Sequence, residues 1–134
     1  MSMKIFDIAG SSLSAQSVRL STVASNLANA ESVSGSAEGV YKARMPVFRA
    51  ETDAANPDTA SVRVLGIVES QAEALKRHEP GHPLADKDGY VYAPNINVVE
   101  EMVNMISASR SYQSNVELMN TAKDLALRTL SLGK

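Results

Sequence analysis

The stretch Ile5–Ala30, IFDIAGSSLSAQSVRLSTVASNLANA, decides how this chain folds. Phe6, Leu13, Leu20 and Leu27 recur at sevens, and Ala9, Gln16, Val23 and Ala30 follow each of them by three. That spacing predicts one helix with an a/d seam over more than three heptads. From Ile8 to Ala30 the only charged side chain is Arg19. A solvated helix face is normally dressed in Lys and Glu, so a face of Ser, Asn and Ala is built to be covered by other protein. Gly10 and the serines weaken the helix, Gly by about 1 kcal/mol relative to Ala, and alone in water it is marginal.

The same character returns at the other extreme, in Val98–Leu132. Asn97 after Pro94 predicts the N-cap, Glu100 and Glu101 stand in the first turn where the helix dipole favours them, and Gly133 ends the segment. Between Met102 and Ala122 only Arg110 and Glu117 bring charge into a field of Ser, Asn, Gln and Thr. The apolar positions form two stripes. One runs through Val98, Met102, Met105, Tyr112, Val116, Met119, Ala126 and Leu130, the other through Leu118, Ala122, Leu125 and Leu132, and two stripes predict two sets of neighbours.

Between the helices Pro46, Pro57, Pro80, Pro83 and Pro94 rule out any long helix, and Ser34, Gly35, Ser36 and Gly39 form a flexible lead-in. Val40–Ala50 and Ser61–Glu69 hold β-branched and aromatic residues with partial alternation, which predicts paired strands with a bulge near Val64 and Leu65. Gly89–Ala93 predicts a third strand after the tight turn Asp86-Lys87-Asp88-Gly89. The fold class is therefore α+β: N- and C-terminal helices form a coiled-coil-like core around a small β-rich middle domain. The divisions fall at 1–32, 33–95 and 96–134.

The 134 residues, 44% hydrophobic and 21% charged, suffice for one core. A formal net charge of −2 without basic blocks offers nothing to a row of phosphates, so nucleic acid is not expected as a partner. The absence of cysteine excludes disulfides, iron–sulfur clusters and thiol catalysis. No run approaches 18 apolar residues, so no membrane span is expected. Met1 to Gly10 lacks the pattern of a cleaved secretory signal.

Catalytic constellations are equally thin. His78, His82 and Asp86 are spaced four apart, as ligands on one helix face would be, but Pro80, Gly81 and Pro83 prevent that helix and leave ordinary loop residues. Asp86-Lys87-Asp88-Gly89 resembles the opening of a calcium loop without the later ligands and closing Glu, and a turn explains it better. No Ser stands in a Gly-x-Ser-x-Gly context, and no Gly-rich phosphate loop is present. Glu100 and Glu101 point to different sides of a helix and read as dipole partners. An enzyme is not expected, nor any cofactor or metal.

Two sets of residues carry a family resemblance. Ser25-Asn26-Leu27-Ala28-Asn29-Ala30, followed by Ser32, resembles the N-terminal signature of flagellar rod, hook and related axial proteins, with Ser32 where that signature usually has Thr. Pro80-Gly81-His82-Pro83, Gly89-Tyr90-Val91, Pro94-Asn95-Ile96-Asn97 and Glu101-Met102-Val103 with Arg110, Tyr112 and Asn115 are similar to the proximal-rod members of that family. The opening Ile5–Ser11 matches as well, so the likeness covers about residues 3 to 50 and 78 to 134.

The resemblance implies a structural subunit of the proximal rod of the flagellar basal body, assembling helically through its terminal helices into a drive shaft for motility. It implies partners among the other rod proteins (FlgB, FlgF, FlgG and FliE) and further copies of the chain. It also implies passage through the flagellar type III export apparatus without signal cleavage, and a place in the periplasmic part of the rod. The side chains expected at subunit interfaces are Phe6, Leu13, Leu20, Val23, Asn26, Leu27 and Asn29 on the first helix. On the last they are Met102, Met105, Ile106, Arg110, Tyr112, Asn115, Val116, Met119 and Leu130. Two other classes predict different behaviour: an adaptor or export chaperone forms a discrete complex, and an enzyme using His78 and His82 binds metal.

Overall fold

The heptad pattern of the first stretch becomes one uninterrupted helix, α1 (Ser2–Asn29), in a computed structural model that describes residues 2–134. Met1, with which the expected N-terminal segment opens, lies outside them. The buried line of α1 passes through Ala9, Ala15, Thr22, Val23 and Asn26 and continues to Ala30 just beyond it. At about 100° per residue that line lies roughly a quarter turn from the Phe6–Leu13–Leu20–Leu27 stripe, whose members are half-buried on its flank. The signature residues close the helix. Asn29 Nδ2 donates to the Ser25 carbonyl at 2.8 Å, and at the helix end Ser32 Oγ (2.6 Å) joins Ser32 N–H (3.1 Å) in bonding the Asn29 carbonyl.

The strands β1 (Arg44–Asp53) and β2 (Asn56–Glu69) pair as a two-stranded sheet across the turn at Ala54 and Ala55, as expected. Both are edge strands, which is why Pro46 and Pro57 are tolerated inside them. Each extends beyond its predicted bounds towards the turn. A further strand, β3 (Leu75–His78), was not predicted; it pairs antiparallel with β4 (Tyr90–Ala93), Leu75 opposite Ala93 and His78 opposite Tyr90. On its other edge β4 bridges to Ser34, whose N–H and C=O both bond Tyr92 at 2.8 and 2.9 Å.

The turn before β4 forms as its sequence dictates. Asp86 Oδ1 accepts from the N–H groups of Asp88 (3.0 Å) and Tyr90 (2.9 Å), and Gly89 adopts φ +83°, the left-handed conformation that Gly allows without penalty. Asn97 caps α2 (Val98–Leu132) by accepting from Glu100 N–H at 3.2 Å.

The chain divides into two compact units, each assembled from non-consecutive stretches. The first comprises Met1–Leu20, Pro46–Gly66 and Ile106–Lys134, the second Ser21–Met45 and Ile67–Met105. Among the described residues, the buried apolar side chains of the first unit are all alanines: Ala9, Ala15, Ala108 and Ala122. Polar ties supplement them, among them Ser11 Oγ accepting from Val62 N–H at 3.0 Å and Lys4 Nζ donating to Asn56 Oδ1 at 3.0 Å. The second unit buries larger groups, Val23, Val40 and Val91 with Ala30 and Ala93, around the polar Thr22 and Asn26. The fully buried groups of the first unit are thus smaller, and its larger apolar side chains, among them Phe6, Leu13 and Leu20, are half-buried.

Candidate subunit interface

The side of α2 that packs within the chain is lined by small or polar residues. Ala108 and Ala122 are buried, and Glu101, Asn104, Met105, Ser111, Asn115, Met119 and Ala126 are half-buried, a continuous line at helical spacing. The large apolar side chains stand elsewhere on the helix. Val99, Val103, Leu125 and Leu130 are 59–70% exposed, with Met102, Ile106, Leu118 and Leu127 close behind. An amphipathic helix of a self-sufficient domain does the reverse, burying Leu and Val and showing small polar groups to water. A single exposed apolar residue needs no explanation, whereas this many on one helix, spread around its circumference, is unusual for a helix covered only by its own chain.

The residues expected at an interface distribute over all degrees of burial. Val23 and Asn26 are buried within the chain, while Phe6, Leu13, Leu20, Leu27, Asn29, Met105, Asn115 and Met119 are half-buried. Met102, Ile106, Arg110, Tyr112, Val116 and Leu130 are exposed. Sequence reasoning passed over the strands as a source of surface: Met45, Val47, Leu65, Ile67 and Val68 are exposed large apolar groups on β1 and β2. Their partial alternation suggested only that the two strands pair. In β2 that alternation gives way from Leu65 onward, where every residue through Glu69 is exposed.

The polar interior of the second unit centres on Asn26. Its Oδ1 accepts from Tyr41 Oη–H and from Arg44 N–H, each at 2.9 Å, and its Nδ2 donates to the Arg44 carbonyl (2.9 Å) and to Glu101 Oε2 (3.1 Å). Ser25 Oγ lies 3.0 Å from the same phenol oxygen. The sequence marked Asn26 as a signature residue expected at an interface but gave no sign of its partners Tyr41, Arg44 and Glu101, which are distant along the chain. On the first unit the charges stay at the surface: Arg49 hydrogen-bonds Glu51 and Arg63 adds its charge, together holding the Glu51 carboxyl below its ordinary range.

The candidate chemical residues serve the backbone. His82 Nδ1 accepts from Leu84 N–H at 3.0 Å, the His78 ring packs tilted on Tyr90 with centroids 4.8 Å apart, and Asp86 is occupied by its turn and by Tyr92 Oη–H at 3.3 Å. Among the described residues no three His, Cys, Asp or Glu side chains are grouped to hold a metal ion. No helix among them is long and apolar enough to cross a membrane.

A subunit with this many large apolar side chains bare on its longest helix has the surface of a structural component of a larger assembly. Comparison with known proteins gives that class its place. Residues 6–35 match the family model described as flagella basal body rod protein, and residues 87–132 match that described as flagellar basal body rod FlgEFG protein C-terminal. The chain is 53% identical over 132 residues to the flagellar basal-body rod protein FlgC of Salmonella typhimurium, with 98% of each chain covered. It is 54% identical over 132 residues to FlgC of Escherichia coli O6:H1 and 41% over 134 to FlgC of Buchnera aphidicola subsp. Schizaphis graminum, again across 98% of both chains. The chain belongs to the FlgC family of flagellar basal-body rod proteins, which are structural subunits and not enzymes.

Proposed function

We propose that this rod subunit assembles helically through its terminal helices in the proximal rod, with the bare apolar surface of α2 as its principal contact. The observation that carries this reading is the exposure of so many large apolar side chains on α2, beside a packed side of mostly small and polar residues. Burying each such side chain contributes roughly 1.5–3 kcal/mol. Protein neighbours on more than one side of the helix would cover them. Contacts between unlike patches do not close on themselves and so propagate as a helix of subunits. Met102, Ile106, Arg110, Tyr112, Val116 and Leu130 offer their surface directly. Phe6, Leu13, Leu20, Leu27, Asn29, Met105, Asn115 and Met119 flank the contacts, and Val23 and Asn26 support them from within.

In this reading 1–32 and 96–134 are the axial segments and 33–95 is the middle domain. The neighbours are further copies and the rod proteins FlgB, FlgF, FlgG and FliE, reached in the periplasm after type III export without signal cleavage. The half-buried apolar side chains of the first unit support coupled ordering: their covering by neighbours adds to its stability. The deciding experiment is cysteine cross-linking in intact cells. Pairs placed at Ile106 and Leu130 are expected to trap this chain to itself and to other rod proteins. Cross-links absent there, with the chain present in purified basal bodies, would exclude this face.

A further inference from the structure

Asn26 is 1% exposed, and its amide has both its oxygen and its nitrogen bonded twice. Two of the four bonds go to one residue, Arg44, which receives a donor for its carbonyl and an acceptor for its N–H. A neighbouring strand offers the backbone the same pair. The side chain thus stands in for a strand at the first residue of β1, and its spare hydrogen ties in Glu101 in the opening turn of α2. Donor and acceptor must sit on one short planar group: Asp has no donor, Leu neither, and Gln is a methylene too long. Because the site is dry, a half-satisfied replacement strands a backbone group.

We infer that Asn26 is a positioning residue for assembly, fixing the start of the hairpin and the first turn of α2 to α1 so that the second unit meets its neighbours in one arrangement. This deepens the assembly reading and rests on it.

The test uses the full chain, isolated and in the cell. In Asn26→Ala the Arg44 amide loses its acceptor, and its hydrogen exchange is expected to accelerate at least tenfold while the amides of Tyr90–Ala93 stay protected. Asn26→Asp sets a carboxylate against Glu101 and is expected to abolish swimming. Adding Glu101→Gln, whose amide donates to the new carboxylate, is expected to restore swimming in part, a rescue that a merely structural lesion would not show. Should Asn26→Ala fail to fold, the Asn26→Asp pair with and without Glu101→Gln decides alone. Unchanged Arg44 exchange in Asn26→Ala overturns the clasp. A broken clasp with normal swimming overturns its role in assembly, and no rescue by Glu101→Gln overturns the link to α2. If cells lacking the chain altogether swim normally, the assembly reading itself fails, while Arg44 exchange still reports on the clasp.

Discussion

Asn115 donates its side-chain amide to Ser12 Oγ at 2.9 Å while also bonding the Ser111 carbonyl at 2.9 Å, so within the first unit α1 and α2 meet through a polar pair. In the second unit they meet through another amide, Asn26 with Glu101. Intrachain helix contact in this protein thus includes hydrogen bonds between polar side chains in both units.

Asn115→Ala tests the first of these contacts. A typical net hydrogen bond is worth about 0.5–1.5 kcal/mol, so the first unit should lose roughly that much. The expected readout is faster amide exchange around Ser12 in the isolated chain, with Tyr90–Ala93 in the second unit unaffected. Unaltered exchange near Ser12 would mean that the contact does not persist in solution.

Ala122 and Leu125 make a paired prediction that inverts the usual expectation for size. Ala122 is 6% exposed, so Ala122→Leu overpacks its site and should cost about 1–3 kcal/mol. Leu125 is bare, and Leu125→Ala should change the isolated chain by no more than about 0.5 kcal/mol. Thermal melts followed by circular dichroism separate the two. A larger loss for Leu125→Ala would place the packed side of α2 elsewhere.

Those two residues also show what was legible in the sequence. Periodicity located both helices nearly to their ends, because a 3.6-residue repeat survives any choice of partner. It left the packed side of α2 unassigned between two apolar stripes, and that side takes Met105, Met119 and Ala126 from one and Ala122 from the other. Lys76-Arg77-His78-Glu79 concealed β3, since a short strand held by backbone bonds to β4 needs no apolar alternation. The Asp86–Gly89 turn was readable because its chemistry is local. The Asn26 node was not, since its partners at Arg44 and Glu101 lie 18 and 75 residues away.

Gly89→Ala probes that local chemistry. At φ +83° an added Cβ would sit 3.1 Å from Pro80 Cβ and 3.2 Å from His78 Nε2. The left-handed conformation alone costs a non-glycine residue about 1–2 kcal/mol. The variant should melt earlier by a corresponding margin, whereas Gly81→Ala, with open space around it, should not. Equal melting of the two variants would show that the turn relaxes freely.

The same turn makes acid sensitivity predictable in sign. The Tyr90 N–H bond, assisted by those from Asp88 and Tyr92, holds the Asp86 carboxyl below its ordinary value. A lowered folded-state value means that the carboxylate's contribution is fully present above the ordinary aspartate value, about 3.9. It is lost as pH falls from there through the lowered value. Asp86→Asn should therefore reduce stability at neutral pH and flatten the acid limb of a stability–pH curve below about pH 4. An unchanged slope there would show that the turn does not depend on the charge.

The bare apolar residues of α2, which lie on more than one side of the helix, yield the prediction that bears most directly on function. In the isolated chain the 59% exposed Val103 and the 68% exposed Leu130 face water, so Val103→Asp and Leu130→Asp should each alter its stability by no more than about 0.5 kcal/mol. In an assembled rod the same aspartates would lie unpaired in a dry contact, where an isolated carboxylate costs far more than the removed apolar contact contributed. Swimming should therefore be lost in both variants although the purified chains melt as the parent does. The combination matters: a variant that unfolds says nothing about the face, and one that stays folded yet swims normally shows that the substituted position is not buried by a neighbour. Lysine at the same positions should act as aspartate does, since desolvation penalises either sign. A rescue by one sign alone would reveal an opposite charge across the contact and so identify the chemistry of the neighbouring surface.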